Sequence, residues 1–162
     1  MKPRQTFVKV AHHATGGPED VLVTLGLGSC VAICVHDRVA KVGGLAHVLL
    51  PEPALARDQG NPAKFASTAV PLLLEELKAA GGRVSRMEAR LVGGASMFTA
   101  LMVPGGLNMG ERNLRAARAA LEKVGIPILG EAVGADYGRS VRFAPAEGRT
   151  LVTSVGRPDV VL

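Results

Sequence analysis

The sequence predicts an α+β fold in which two helices accompany seven or eight short strands. Two segments repeat apolar residues at helical spacing, and most of the other apolar segments are short runs bounded by turn residues, which is typical of strands. The chain has 162 residues, of which 48% are hydrophobic. This is enough for one sizeable core, so we expect residues 1–162 to form a single domain.

Charge and hydrophobicity exclude several classes of protein. The net charge is +5, but the basic residues are dispersed, so nucleic-acid binding is not expected. No apolar segment approaches the roughly 20 residues that span a bilayer, and the N-terminus lacks the apolar core of a signal peptide. We therefore expect a cytoplasmic protein without membrane insertion, in which Cys30 and Cys34 stay reduced.

The first predicted strand is residues 6–10, and the second is Val21–Thr24. Between them the sequence predicts a loop that contains His12 and His13. Adjacent side chains on an extended backbone point in opposite directions, and no companion ligand lies nearby, so these histidines do not favour a metal site.

The hairpin that follows carries the best nucleophile and the best base. Cys30 ends a glycine-rich turn and precedes the predicted strand Val31–Val35, and a second apolar run, Val42–Leu50, brings His47 back beside it. An imidazole in this position can take the thiol proton and leave a thiolate that attacks carbonyl carbon. Free N–H groups in the turn Gly26–Ser29 would serve as an oxyanion hole and lower the thiol pKa.

Three more polar or thiol side chains belong to this region. Thr24 offers a short hydroxyl on a stiff, β-branched side chain and is the candidate that orients His47. Cys34 lies deeper in the apolar run and is interpreted as a core residue. His36, beside Asp37 at the hairpin tip, is interpreted as a solvated turn residue.

The first helix is predicted to begin with Asn61 as its N-cap and Pro62 as its first residue, and to end at Gly81. Pro71 lies inside the pattern and removes one backbone hydrogen bond. The helix is therefore either kinked at Pro71 or begins later than Asn61.

The second helix begins at a capping box formed by Asn108 and Glu111 and ends at Gly125. It exposes four basic residues, which we interpret as a solvated face: Arg112, Arg115, Arg118 and Lys123. The remaining predicted strands are Met87–Val92, Ile126–Val133, Ser140–Phe143 and Thr150–Val155. The glycines that follow the first of these match neither a dinucleotide-binding pattern nor a P-loop, so no nucleotide is expected.

Several short motifs occur in an order that carries a family resemblance. They are TLGLGSC (24–30), GGLAHVLLP (43–51), KFASTAVPLLLEELKAAG (64–81), LVGGASMF (91–98), NMGERN (108–113) and GRSV (138–141). Together they resemble the chemoreceptor glutamine deamidase family, CheD. The resemblance implies that Cys30, His47 and Thr24 are the catalytic residues. It also implies a layered sandwich of mixed β-sheets with the two helices outside, similar to cysteine-hydrolase toxins that deamidate glutamine. For the first helix, it favours one helix kinked at Pro71 over a start later than Asn61.

The same resemblance implies a function. Glutaminyl side chains of methyl-accepting chemotaxis receptors would be converted to glutamate with release of ammonia, through a Cys–His thioester and without a cofactor or metal. The receptor cytoplasmic domains would be the substrate, and a CheC-type phosphatase is a second candidate partner. The alternative is a non-catalytic interaction module that binds a CheC-type phosphatase or receptors, and the complete set of Cys30, His47 and Thr24 argues against it.

Overall fold

Two five-stranded β-sheets pack face to face, and two α-helices cover the outer face of one sheet. The computed structural model describes residues 2–97 and 108–162. The strands are β1 (Arg4–Phe7), β2 (His13–Gly16), β3 (Asp20–Leu27), β4 (Val31–Asp37), β5 (Val42–Val48), β6 (Met87–Gly93), β7 (Ile128–Val133), β8 (Arg139–Phe143), β9 (Thr150–Ser154) and β10 (Arg157–Val161). The helices are α1 (Ala66–Ala79) and α2 (Met109–Lys123). Phe98, the last residue of the LVGGASMF motif, lies outside the described residues.

Both sheets are mixed. The first has the order β1-β3-β8-β9-β10 and the second the order β2-β5-β4-β6-β7. Strand β1 runs parallel to β3 and β6 runs parallel to β7, while the other neighbouring strands are antiparallel. The predicted α+β class, with mixed sheets and outer helices, is confirmed.

Strand β4 explains the layering, because both of its faces are apolar. Val31, Ile33 and Val35 face the two helices, whereas Ala32 and Cys34 face the first sheet. A strand buried on both faces reads as a continuous apolar run. The core therefore consists of two layers, one on each side of the second sheet.

Two strands were not predicted. Residues 13–16, expected to be loop, form β2 and pair with β5, and β10 pairs with β9 at a sheet edge. Every residue of β10 is exposed, so no hydrophobic periodicity marks this strand. The first strand, Arg4–Phe7, begins two residues before the predicted start and ends three residues before the predicted end.

The first helix begins later than Asn61, at Ala66, so the start at Asn61 that the resemblance favours is wrong. The Asn61 side chain caps a separate 3-10 turn, Pro62–Lys64, by accepting a hydrogen bond from the Ala63 amide at 3.1 Å. Phe65 is extended and fully buried, and α1 starts after it with Pro71 inside. The second helix is capped as predicted, since Asn108 accepts from the Glu111 amide at 2.8 Å. Its basic face is solvated except that Arg118 pairs with Glu131 on β7.

The predicted solvated position of His36 is wrong, because His36 and Asp37 are both completely buried. Burial by itself raises the pKa of Asp37, but hydrogen bonds from Arg86 and from three backbone amides hold this pKa well below its usual range. The His36 ring lies 2.9 Å from Arg90, and burial together with this cation lowers the pKa of His36. Partners distant in sequence thus make burial of the hairpin tip possible.

No helix among the described residues is both long and apolar enough to cross a membrane.

Candidate active site

Two of the three predicted site residues meet at the interface between the sheets. Thr24 lies on β3 in the first sheet and His47 lies on β5 in the second. Thr24 Oγ1 is 2.7 Å from Nδ1 of His47. Both residues are nearly completely buried, at 1% and 4% exposure. Packing of the two sheets therefore creates the contact.

The hydrogen bonds of Thr24 decide which ring nitrogen of His47 carries the proton. The Thr24 hydroxyl donates to the Val8 carbonyl at 2.6 Å. A hydroxyl has one proton, so Thr24 Oγ1 acts as the acceptor toward His47, and Nδ1 of the ring is the donor. The neutral imidazole then keeps its lone pair on Nε2, which makes this nitrogen the available base.

Strand register places Cys30 on the same face as His47. In the β4–β5 pair, Ala32 is directly opposite His47, and Cys30 precedes Ala32 by two residues. Side chains two apart on an extended chain share a face, so Cys30 is a diagonal cross-strand neighbour of His47. Both residues line the same groove.

The backbone of the turn before Cys30 is held by three consecutive hydrogen bonds. The carbonyls of Gly28, Ser29 and Cys30 accept from the Ala95 amide at 2.9 Å, from Nδ2 of Asn113 at 2.9 Å and from the Gly94 amide at 2.8 Å. Because N–H and C=O of a planar trans peptide point in opposite directions, the amides of Ser29 and Cys30 face away from these donors. The Ser29 amide has no acceptor within residues 2–97 and 108–162, and the Cys30 amide is directed to the Cys30 sulfur.

The turn itself is shorter than predicted. Gly26 and Leu27 belong to β3, and only Gly28 and Ser29 lie between that strand and Cys30. The register between β3 and β8 shifts between Thr24 and Leu27, and Gly26 has a φ of +66°. A left-handed residue at a register shift is typical of a β-bulge, which bends the strand.

Burial sets the charge state of the pair. It raises the pKa of Cys30, and the hydrogen bond from the Cys30 amide offsets this only in part. It lowers the pKa of His47, and the Val8 carbonyl opposes that effect. The expectation that turn amides bring the thiol pKa below its ordinary value is therefore wrong. At neutral pH the resting pair is therefore a thiol and a neutral imidazole.

The second thiol has a different environment. Cys34 is 1% exposed and belongs to the core between the sheets, and burial raises its pKa to about 12. Cys30 is only partly buried and lines the groove. The interpretation of Cys34 as a core residue is confirmed.

The groove that contains Cys30 and His47 has a volume of about 490 Å³. Its other lining residues are Phe7, Val8, Lys9, Val10, Val23, Leu25 and Gly26. Phe7 is 58% exposed and Leu25 is 60% exposed. An exposed apolar rim of this kind is typical of a surface that binds another protein.

Comparison with known proteins identifies the family. The chain is 45% identical over 149 residues to a Thermotoga maritima protein named chemoreceptor glutamine deamidase CheD, covering 92% of this chain and 91% of that protein. It is 41% identical over 155 residues to a Desulforamulus reducens protein named probable chemoreceptor glutamine deamidase CheD, covering 96% and 93%. The family described as CheD chemotactic sensory transduction matches residues 49–154. The chain belongs to the CheD family.

The family match begins two residues after His47, whereas the CheD relatives align over nearly the whole chain. The fold also occurs in a protein of another family. The crystal structure of a Neisseria meningitidis protein of the DUF152 family superposes on this CheD chain with a TM-score of 0.50 and 14% identity, covering 96% of this chain and 76% of that one. At this identity the likeness concerns the fold alone.

Two contributors to this CheD site were missed from the sequence. Val8 acts through its carbonyl, which leaves no signal in the side chain. Asn113 is the last residue of the NMGERN motif, and nothing about an asparagine on a helix marks it as buried. No group of three or more potential metal ligands occurs in the described part of the chain. The absence of a metal or cofactor stays a prediction.

Proposed function

We propose that this CheD chain is a protein-glutamine deamidase that acts on methyl-accepting chemotaxis receptors, with Cys30 as nucleophile, His47 as base and Thr24 as the residue that orients the base. The observation that carries the proposal is the Thr24–His47 hydrogen bond beside the groove that also holds Cys30. The names of the CheD relatives supply the reaction and the substrate class.

The first half of the reaction forms a thioester. Nε2 of His47 removes the proton of Cys30 while Sγ bonds to the amide carbon of a glutaminyl side chain. The carbonyl oxygen becomes an oxyanion, which the amides of Ser29 and Cys30 would stabilise. The imidazolium then gives its proton to the leaving nitrogen, the C–N bond breaks, and ammonia departs.

The second half uses water. His47 removes a proton from a water molecule, whose oxygen attacks the thioester carbon, and the C–S bond breaks. The sulfur recovers a proton from the imidazolium. The sum is glutamine plus water giving glutamate plus ammonia, with the enzyme unchanged and no cofactor required.

The neutral resting pair suits this sequence of steps. A preformed thiolate–imidazolium pair would attack without this first proton transfer, and His47 would begin as the acid instead of the base. With the thiol protonated, each proton that His47 takes up returns to a leaving group in the same half-reaction.

The apolar rim supports a protein substrate. Phe7, Val10 and Leu25 surround the groove and are all exposed, so a docked helix or strand would bury them while a glutamine side chain enters toward Cys30. A free amino acid would leave this rim in water.

Intact-mass analysis of a receptor cytoplasmic fragment incubated with the protein tests the proposal. Each conversion replaces an amide NH₂ with a hydroxyl, and peptide fragmentation then locates the new glutamates. Cys30→Ala is the matched control. A receptor whose mass stays unchanged would favour the alternative, a non-catalytic module that binds receptors or a CheC-type phosphatase.

A further inference from the structure

One buried side chain contacts both halves of the hairpin that carries Cys30 and His47. Asn113, on α2, is completely buried. Its Nδ2 donates to the Ser29 carbonyl at 2.9 Å and to the Leu49 carbonyl at 3.0 Å. Ser29 is adjacent to Cys30, and Leu49 follows His47 by two residues. A single amide group therefore joins the backbone next to the nucleophile to the backbone next to the base.

The position of this contact matters because the two strands separate there. The last pair of the β4–β5 ladder is Val31 opposite Val48. Beyond it, the amides of Leu49 and Leu50 both donate to the Lys64 carbonyl instead of to the other hairpin strand. Cys30 lies just outside the ladder, so backbone pairing within the hairpin does not hold it against β5.

The orientation of the Asn113 amide is fixed by its two acceptors. Turning the group over would place Oδ1 against two carbonyl oxygens, which repel it. In the observed orientation Oδ1 is buried and has no hydrogen-bond partner among the described residues. An unpaired buried acceptor is unfavourable. The two hydrogen bonds that Nδ2 donates offset this cost.

We propose that Asn113 is a positioning residue, which sets the distance and angle between Cys30 and His47 by closing the open end of their hairpin. It touches neither the substrate nor the reacting atoms. By holding the Ser29 carbonyl, it also turns the Cys30 amide, which belongs to the same peptide unit, away from α2. This inference rests on the proposed function for its kinetic part, whereas the chemical reactivity of Cys30 tests it independently.

The kinetic test compares two substitutions. Asn113→Leu keeps a similar volume but removes both donors, and Asn113→Gln keeps a donor on a longer side chain. With a receptor fragment as substrate, we expect kcat to fall by about 100-fold in Asn113→Leu while KM changes little, because misplacement of about 1 Å at a reacting centre has an effect of this size. Asn113→Gln should lie between this variant and the wild type.

The reactivity test uses the other thiol as an internal standard. Iodoacetamide at neutral pH should label Cys30 more slowly in Asn113→Leu than in the wild type, since the base is displaced, while Cys34 stays protected. A variant whose core had partly unfolded would label at Cys34 as well. Leu121→Ala is the matched control, because Leu121 is a fully buried residue of α2 that is not bonded to the hairpin ends. It should lower the Tm without changing kcat or the labelling of Cys30.

The outcomes separate cleanly when each variant is assayed below its own unfolding temperature. Wild-type kcat and wild-type Cys30 labelling in both Asn113 variants would overturn the inference, as would a loss that appears only together with labelling of Cys34. If Asn113→Leu fails to fold, Asn113→Gln carries the same comparison. If the wild type shows no deamidation, the proposed function fails, and a slower labelling of Cys30 would still support the positioning role.

Discussion

The Thr24 hydroxyl lies 2.7 Å from Nδ1 of His47, although the two residues are 23 positions apart and belong to different sheets. The orientation of the His47 ring is therefore set by the way the sheets pack. Thr24 can serve as an acceptor for the ring because its own proton is donated to the Val8 carbonyl. Residues from both sheets thus meet at the His47 ring.

Removing the Thr24 hydroxyl should weaken catalysis without abolishing it. Thr24→Val keeps the shape of the side chain but leaves Nδ1 of His47 without its acceptor, and we expect kcat to fall about 10- to 100-fold. His47→Ala, which removes the base itself, should lose about a thousand-fold or more. Thr24→Ser, which restores the hydroxyl, is the control and should recover most of the activity. Equal and total loss in folded Thr24→Val and His47→Ala would contradict this division of roles.

The two cysteines should respond differently to substitution. Cys30→Ala should be folded and inactive, since Cys30 lies at the groove. Cys34→Ala should stay active and lose about 1 kcal/mol of unfolding free energy because it leaves a small cavity in the core. Mass-mapped iodoacetamide labelling, deamidation assays and thermal unfolding measure these effects. Labelling of Cys34 before Cys30, or residual deamidation by Cys30→Ala, would show that the nucleophile is misassigned.

The neutral state of the catalytic pair predicts a broad pH profile. The pKa of His47 is lowered from its ordinary 6.5, so the acid limb of kcat/KM should lie below pH 6.5, where the base becomes protonated. The pKa of Cys30 is raised from its ordinary 9.0, so alkylation of Cys30 should still be increasing above pH 9. Initial rates of deamidation measure the acid limb, and initial rates of Cys30 alkylation measure the titration of the thiol. A Cys30 alkylation rate that is already maximal near pH 5 would instead indicate a preformed thiolate–imidazolium pair.

Removal of divalent metals should leave activity intact. The proposed steps use only Cys30, His47, Thr24 and backbone amides, so dialysis against EDTA should not change the deamidation rate. The apt control is a metal-dependent hydrolase treated in the same way. Loss of activity that is restored by adding a divalent metal would show that the site has been interpreted wrongly.

The burial of His36 predicts a large stability effect at Gly148. This glycine has a φ of +84°, and a Cβ built on it would lie 2.2 Å from Nε2 of His36. Gly148→Ala should therefore combine left-handed backbone strain with overpacking and cost about 3 kcal/mol. Gly156→Ala, with a φ of +72° and no atom within 4 Å, should show the backbone cost alone, about 1 kcal/mol. Similar Tm values for the two variants would mean that His36 is free to move.

The sequence by itself determined the local parts of this site. The apolar runs on either side of the hairpin turn fix β4 and β5, and a period of two then places Cys30 and His47 on one face. The capping box of α2 is equally local, because the Asn108 side chain bonds to an amide three residues away. Such features depend only on neighbouring residues, so the pattern of residue types is enough to predict them.

Tertiary structure decided which distant groups meet. The strand order brings Val8 and Thr24 to His47, and periodicity carries no information about that order. The polar hairpin tip appeared solvated because its partners, Arg86 for Asp37 and Arg90 for His36, are 49 and 54 residues away. Asn113 was overlooked for the same reason, since the carbonyls it bonds are 84 and 64 residues distant. A polar side chain is buried only when such partners replace water, and only the folded chain supplies them.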